Sequence, residues 1–263
     1  MHKKTVVLTI AGSDPGSGAG IQSDLKTFQN NGVYGLTVIT AITSQNTKGV
    51  TGSFEVPAKD IKTQLECLFD DFKIKYAKTG MLSSQKVIDA VYGVLKNKKG
   101  LKLIIDPVIY SKNKYVLLDD KGIKALINKL IPLSYLITPN IYEVQILTGI
   151  RMRFVEDLEL AAKILHDMGA KNVLIKGGHL NSSVGLQQGT DILFSKGKYS
   201  IFPPNYIQTK HTHGIGCTLS AAITAKLASG KDLETSIIES KNYIQQKLRK
   251  AEKLGKGINP VEQ

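Results

Sequence analysis

The sequence predicts an α/β fold in which a mostly parallel central sheet carries helices on both faces and has an antiparallel edge. Three observations predict it. Short β-branched or aliphatic runs alternate with segments of helical periodicity, two late runs are spaced as a hairpin, and small and polar residues follow almost every strand. With 263 residues, 42% of them hydrophobic, the chain can bury a substantial core, and one domain over residues 1–263 is expected.

The elements follow in order. Thr5–Ile10, Thr37–Thr43, Ile74–Ala77, Leu101–Ile105, Tyr135–Thr138 and Val173–Lys176 read as buried strands. Between them, Ile21, Leu25 and Phe28, then Ile61, Leu65, Leu68 and Phe69, then Val87, Val91 and Leu95 stand at helical spacing. Asp191–Phe194 and Tyr199–Phe202, joined by Ser195-Lys196-Gly197-Lys198, read as the edge hairpin. Two helices, near Gly216–Ala228 and Leu233–Glu252, close the chain, and no repeat or linker divides it.

Composition narrows the function classes. The longest apolar stretches, such as Thr5–Ala11, are too short to cross a bilayer, so a cytoplasmic protein without a membrane partner is expected. Cys67 and Cys217 form no CxxC pair, which argues against a disulfide framework or a zinc site. The net charge of +13 raises nucleic acid as a partner, but the basic residues are scattered and nearly all Lys, with Arg only at 151, 153 and 249. A Lys-rich solvated surface accounts for that pattern, and no nucleic-acid partner is expected.

In an open α/β sheet, ligands sit beyond the carboxyl ends of the strands. The run Gly12–Gly20 follows the first strand and lets backbone approach a ligand, although an ordinary βα turn has the same composition and no P-loop pattern is present. Asp24, one turn into the next helix, could meet a ring nitrogen or amino group, or be a plain surface acid. His213-Gly214-Ile215-Gly216-Cys217-Thr218 is the strongest local signal. Glycines opening a helix leave N–H groups and the positive end of the helix dipole facing outward, which makes an anion hole suited to a phosphoryl group. The same field would favour a Cys217 thiolate, whereas most free cysteines are small buried hydrophobes. Asn140 and Glu143 could close a capping box or hold Mg²⁺ through water, and Asp106, at a strand's carboxyl end, is a comparable candidate.

Taken in order, Ala11-Gly12-Ser13-Asp14-Pro15, Gly18-Ala19-Gly20-Ile21-Gln22-Ser23-Asp24, Gln45-Asn46-Thr47, Gly80-Met81-Leu82, Asp106-Pro107-Val108, Thr138-Pro139-Asn140, Lys176-Gly177-Gly178-His179 and Thr212–Ser220 resemble the hydroxymethylpyrimidine/phosphomethylpyrimidine kinases of the ribokinase-like superfamily. The match runs from Thr5 to about Pro260.

The resemblance implies a three-layer α/β/α kinase, usually a homodimer, with ATP across the strand ends. It would phosphorylate 4-amino-5-hydroxymethyl-2-methylpyrimidine and then the monophosphate, giving the pyrimidine diphosphate for thiamine. By that resemblance Gly12, Ala19, Asp24, Gln45, Met81 and Val108 line the ring pocket, with Asp24 and Gln45 reading its polar edge. Cys217 stands where most of the superfamily has an aspartate base, Gly214, Gly216 and Lys176 lie on the phosphate path, and Asp106, Asn140 and Glu143 match the Mg²⁺ network. Two departures are visible. Ile215 replaces a threonine of the usual motif, and Ile109–Lys114 replaces a smaller, Gly-containing stretch at a lid. A pyridoxal kinase of the same fold and a catalytically silent pyrimidine sensor are the alternatives. The intact acidic and Cys217 positions argue against the sensor.

Overall fold

The structure is a computed structural model that describes residues 4–178, 186–204, 207, 209 and 211–262. Nine strands form one sheet: β1 (Val6–Ser13), β2 (Tyr34–Asn46), β3 (Gly49–Glu55), β4 (Tyr76–Thr79), β5 (Lys102–Ile105), β6 (Ser134–Ile137), β7 (Asn172–Ile175), β8 (Asp191–Ser195) and β9 (Lys198–Phe202). Their order is β3-β2-β1-β4-β5-β6-β7-β8-β9. Pairing is parallel from β2 through β7 and antiparallel for β2–β3, β7–β8 and β8–β9.

The sheet is therefore antiparallel at both edges, not at one as the sequence suggested. The additional edge comes from β3, whose two glycines and mixed exposure give no clean period-two signal. Its presence also changes where Gln45 lies. β2 continues to Asn46, so Gln45 belongs to the strand rather than to a loop after it.

The parallel strands are buried on both faces, which explains their unbroken aliphatic runs. Leu103 and Ile105 of β5 pack on one side with α2 (Ala58–Asp71), α3 (Gln85–Leu95), α4 (Asp120–Ala125), α5 (Ile141–Thr148) and α6 (Val155–Asp167). Ile104, Leu136 and Leu174 turn to the other side, against α7 (Ile215–Ala228) and α8 (Leu233–Arg249). Phe28 of α1 (Gly20–Asn30) joins that second layer beside Val7, Ala221 and Ala225. Helix α7 is buried almost all round, and its alanines and serine let it lie close to the sheet. This central helix aims its N-terminus at the carboxyl ends of β1, β4 and β5.

Candidate active site at the carboxyl ends of the strands

Two Gly-rich turns meet to build the site. Where β1 ends, the Asp14 carboxylate folds the following turn by accepting N–H groups from Gly16 at 2.8 Å, Gly18 at 3.1 Å and Ala19 at 2.9 Å. Gly20 then opens α1 at a φ of 59°, and a side chain there would meet the Gly12 carbonyl at 2.3 Å. Gly214, the N-cap of α7 at a φ of 80°, presses on the first turn so closely that a Cβ would lie 1.8 Å from the Gly18 carbonyl. Only glycine permits this backbone approach.

On one side of the junction lies a small apolar cluster of Ala41, Val50, Met81 and Leu117, with Val108 and Tyr115 packed against it. Gly12 belongs with it, since a Cβ there would touch Met81 Sδ at 3.0 Å. Gln45 stands beside the cluster, its Nε2 lying 3.2 Å from Asp14 Oδ2 and 3.0 Å from His213 Nε2. The segment after Val108 folds into a tight turn over this region. Tyr110 bridges Val116, Asn113 hydrogen-bonds both the N–H and the carbonyl of Val50, and Lys112 donates to Thr212.

On the other side lies a charged cradle. Lys176, following β7, donates to Asp106 Oδ1 at 2.7 Å, and Ser220 of α7 donates to Asp106 Oδ2 at 3.3 Å. A Cβ at Gly216 would sit 3.3 Å from Lys176 Nζ and 3.8 Å from Asp106 Oδ2, so glycine keeps the cradle open at the start of α7. The first N–H groups of α7 point into the same space by helix geometry. Burial opposes the charge on Asp106, but Lys176 and Lys78 hold its carboxyl below the ordinary value. Glu143 is the exception. Burial pushes it up to about 7 in spite of Lys176.

The profile of the phosphomethylpyrimidine kinase family matches residues 14–262. The chain belongs to this family. The hydroxymethylpyrimidine/phosphomethylpyrimidine kinase of Haemophilus influenzae is 45% identical over 258 residues, covering 97% of this chain and 95% of that protein. Among solved structures, the phosphomethylpyrimidine kinase of Clostridium difficile 630 has a TM-score of 0.81 at 42% identity, over 92% of this chain and 99% of that one. The ADP complex of a Bacillus subtilis pyridoxal kinase has a TM-score of 0.88 at 34% identity, over 99% of this chain and 97% of that one. The ribokinase-like fold expected from the motifs is the fold found.

Within this phosphomethylpyrimidine kinase chain, the structure gives Asp24 and Asn140 other partners than expected and changes the electrostatics around Cys217. Asp24 is wholly buried, accepting from Lys78 Nζ at 2.7 and 2.8 Å and from Thr9 Oγ1 at 2.6 Å. Both its oxygens are engaged beneath the site, so it is the counter-ion of Lys78 and not a reader of the ring edge. Burial works against the Lys78 ammonium, but Asp24, Cys217 and Asp106 together raise its pKa above the ordinary value. Cys217 is half-buried, and burial pushes its thiol up to about 11, outweighing Lys78 and the Gly20 N–H, with Asp106 and Asp24 opposing ionisation as well. The helix terminus alone does not favour a thiolate here, contrary to the sequence argument.

Part of the expected metal network is tied up in hydrogen bonds at the start of α5. Asn140 Oδ1 accepts from the N–H groups of Tyr142 at 2.9 Å and Glu143 at 3.0 Å, while Glu143 Oε2 accepts from the Asn140 N–H at 2.7 Å. These two residues form a capping box for α5, which takes up the Asn140 oxygen and leaves Glu143 beside Asp106. Among the described residues no group of three or more His, Cys, Asp or Glu side chains could hold a metal ion. Of the expected network, the carboxylates of Asp106 and Glu143 are near enough to repel one another at the cradle.

Three residues here carry no role in the sequence reading: Asp14, Lys78 and His213. A signal existed for each. Asp14 stands in a Ser-Asp-Pro-Gly turn pattern, and Lys78 interrupts a buried strand where a charge requires a partner. His213 adjoins the anion-hole glycines. His179, quoted with Lys176-Gly177-Gly178, lies outside the described residues.

Proposed function

We propose that this chain phosphorylates the hydroxymethyl group of 4-amino-5-hydroxymethyl-2-methylpyrimidine with ATP, and then the resulting monophosphate, to supply the pyrimidine diphosphate for thiamine. The observation that carries the reading is a juxtaposition. The apolar, Gln45-edged cluster for a small ring adjoins the cradle of Lys176, Asp106 and the α7 N-terminus through Asp106 and Val108, and Cys217 stands in the first turn of α7 within reach of the Lys78 and Asp106 charges.

Phosphoryl transfer through a loose transition state depends mainly on alignment and charge stabilisation. Gly12, Ala19, Met81 and Val108 would hold the ring so that its hydroxymethyl oxygen faces the cradle. That oxygen attacks the γ-phosphorus in line, the bond to the ADP oxygen breaks, and the hydroxyl proton leaves late in the step. Lys176, Gly214 and Gly216 offer the ammonium and N–H groups that meet the transferring oxygens. Cys217 Sγ would orient the hydroxyl and, in its thiolate form, would take the proton that the hydroxyl gives up. Asp106 and Glu143 would hold Mg²⁺ through water, and the ion would supply charge neutralisation on the phosphates.

No helix among the described residues is long and apolar enough to cross a membrane. We place the enzyme in the cytoplasm, as a homodimer. Support for the dimer comes from Ile42 and Phe54, cross-strand partners of β2 and β3 that are 52% and 66% exposed. Sedimentation of the purified protein tests this, and a monomer at micromolar concentration contradicts it.

A second reading, pyridoxal kinase, is favoured by the likeness to the Bacillus subtilis enzyme. One experiment separates the two and excludes a silent sensor. The protein is incubated with Mg-ATP and either the hydroxymethylpyrimidine or pyridoxal, and products are identified by mass spectrometry. Mono- and diphosphorylated pyrimidine is the expected result, and no phosphorylated pyrimidine overturns the proposal.

A further inference from the structure

Three polar atoms meet at the edge of the ring cluster. Asp14 Oδ2, Gln45 Nε2 and His213 Nε2 are mutually 3.2, 3.0 and 3.0 Å apart. Asp14 is 3% exposed, and the same Oδ2 also receives the N–H groups of Gly18 and Ala19. Burial opposes its charge, but the hydrogen bonds from His213, Gly16 and Ala19 hold the carboxyl below its ordinary value. It is therefore ionised at neutral pH, and an ionised carboxylate only accepts hydrogen bonds.

That fixes the orientation of Gln45. At 3.2 Å the full charge of the carboxylate attracts the amide NH₂ and would repel the amide carbonyl, whereas His213 Nε2 at 3.0 Å suits either end of the amide according to its tautomer, so Asp14 sets the direction. The carbonyl oxygen Oε1 is accordingly turned away from Asp14. Its hydrogen-bonding neighbour among the described residues is the Thr43 hydroxyl at 3.5 Å, and that hydroxyl is already given to the Ser13 carbonyl at 2.9 Å. Gln45 thus has its donor engaged and its acceptor open.

We propose that Asp14 is a positioning residue for substrate choice: by holding the Gln45 amide nitrogen, it makes Gln45 an acceptor that selects rings carrying a hydrogen-bond donor beside the hydroxymethyl group. This rests on the pyrimidine-kinase reading above and deepens it. The aminopyrimidine carries an amino group on the carbon next to the one bearing its hydroxymethyl. Pyridoxal carries a formyl oxygen there, an acceptor that faces Gln45 Oε1 with like polarity. A glutamine free to turn would serve both rings, whereas one pinned by Asp14 serves the first. His213 Nε2, 3.0 Å from the same oxygen, helps keep that carboxylate charged.

The test is calorimetric titration of the full chain with the hydroxymethylpyrimidine and with its 4-methoxy counterpart, in which an acceptor replaces the amino group. The wild type is expected to prefer the amino compound by roughly 10- to 100-fold, the scale set by one mismatched buried hydrogen bond. Asp14→Asn can present its own NH₂ to Gln45 and release the pin, so the preference should fall below about threefold. In a Gln45→Met background, Asp14→Asn should leave the ratio unchanged, because Asp14 acts through Gln45. Equal losses for both ligands in Asp14→Asn, with the ratio kept, would mean that Asp14 only shapes the turn, and the inference falls. Should Asp14→Asn fail to show a cooperative melt, the wild-type ratio decides: below about threefold it overturns the inference, and above tenfold it supports the orientation. A wild type that binds neither compound overturns the proposed function itself, and with it this inference, which distinguishes the two failures.

Discussion

The ammonium of Lys78 lies 2.7 and 2.8 Å from the two carboxylate oxygens of Asp24, and neither side chain reaches solvent. The pair joins β4 to α1 directly under the site. Such a pair is worth little against a well-packed apolar substitute, but removing one member leaves a bare charge in the interior. Lys78→Met and Asp24→Asn should each lower stability by about 3–5 kcal/mol, while Lys78→Met combined with Asp24→Leu should recover most of that loss. Denaturant titration of the three variants measures it. Additive losses in the double variant contradict the pairing.

The position of Cys217 yields a kinetic prediction. If it takes the hydroxyl proton, Cys217→Ala should lower turnover by about 10²- to 10⁴-fold with little change in substrate dissociation constant. Cys217→Asp should retain more activity than Ala. Because burial sets the thiol near 11, alkylation of the free enzyme should be slow at neutral pH and rise steeply towards that value. Near-normal turnover in a folded Cys217→Ala protein removes Cys217 from the proton path and leaves the cradle to account for catalysis.

Glu143 predicts a pH effect on stability whose sign is set by burial. The carboxyl loses its proton near 4.5 when unfolded and near 7 when folded. Between these values the folded state binds more protons, so the stabilisation present below pH 4.5 is lost as pH rises towards 7. The whole effect is at most about 3.5 kcal/mol, from roughly 1.4 kcal/mol per unit. Glu143→Gln keeps the capping-box acceptor without the charge and should flatten that part of the profile. Urea titrations of both proteins across pH 4 to 8 check it, and parallel profiles contradict the assignment.

The net charge of +13 leads to a negative expectation. Scattered Lys should give only weak binding to duplex DNA, erased by moderate salt. A filter or anisotropy assay showing sequence-specific binding at physiological salt contradicts it.

The sequence made the sheet and its layers legible because buried parallel strands are continuous aliphatic runs. It made the Gly214–Cys217 helix start legible because anion holes are written in local glycines. β3 was hidden by its glycines and partial exposure. The fate of Asp24 was hidden for another reason, since its partner Lys78 is distant in the chain and only the folded register brings them together. Asn140 shows a third limit. One spacing encodes both a capping box and a metal network, and only the hydrogen bonds reveal that the Asn140 side-chain oxygen caps α5.

The contact between Asp14 and His213 spans 199 positions, and His213 is in turn held from beyond, its N–H donating to the Asn259 carbonyl and its own carbonyl accepting from Val261. The two Gly-rich turns are thus held together by contacts between residues far apart in the sequence, and such contacts form only after long loops close. A refolding chain can pair β1 with β2 and β4 while the seam between the turns is still missing. Assembly of the sheet and assembly of the site are therefore separable events, and refolding followed by far-ultraviolet dichroism and by phosphoryl transfer in parallel should show the sheet first and turnover after it.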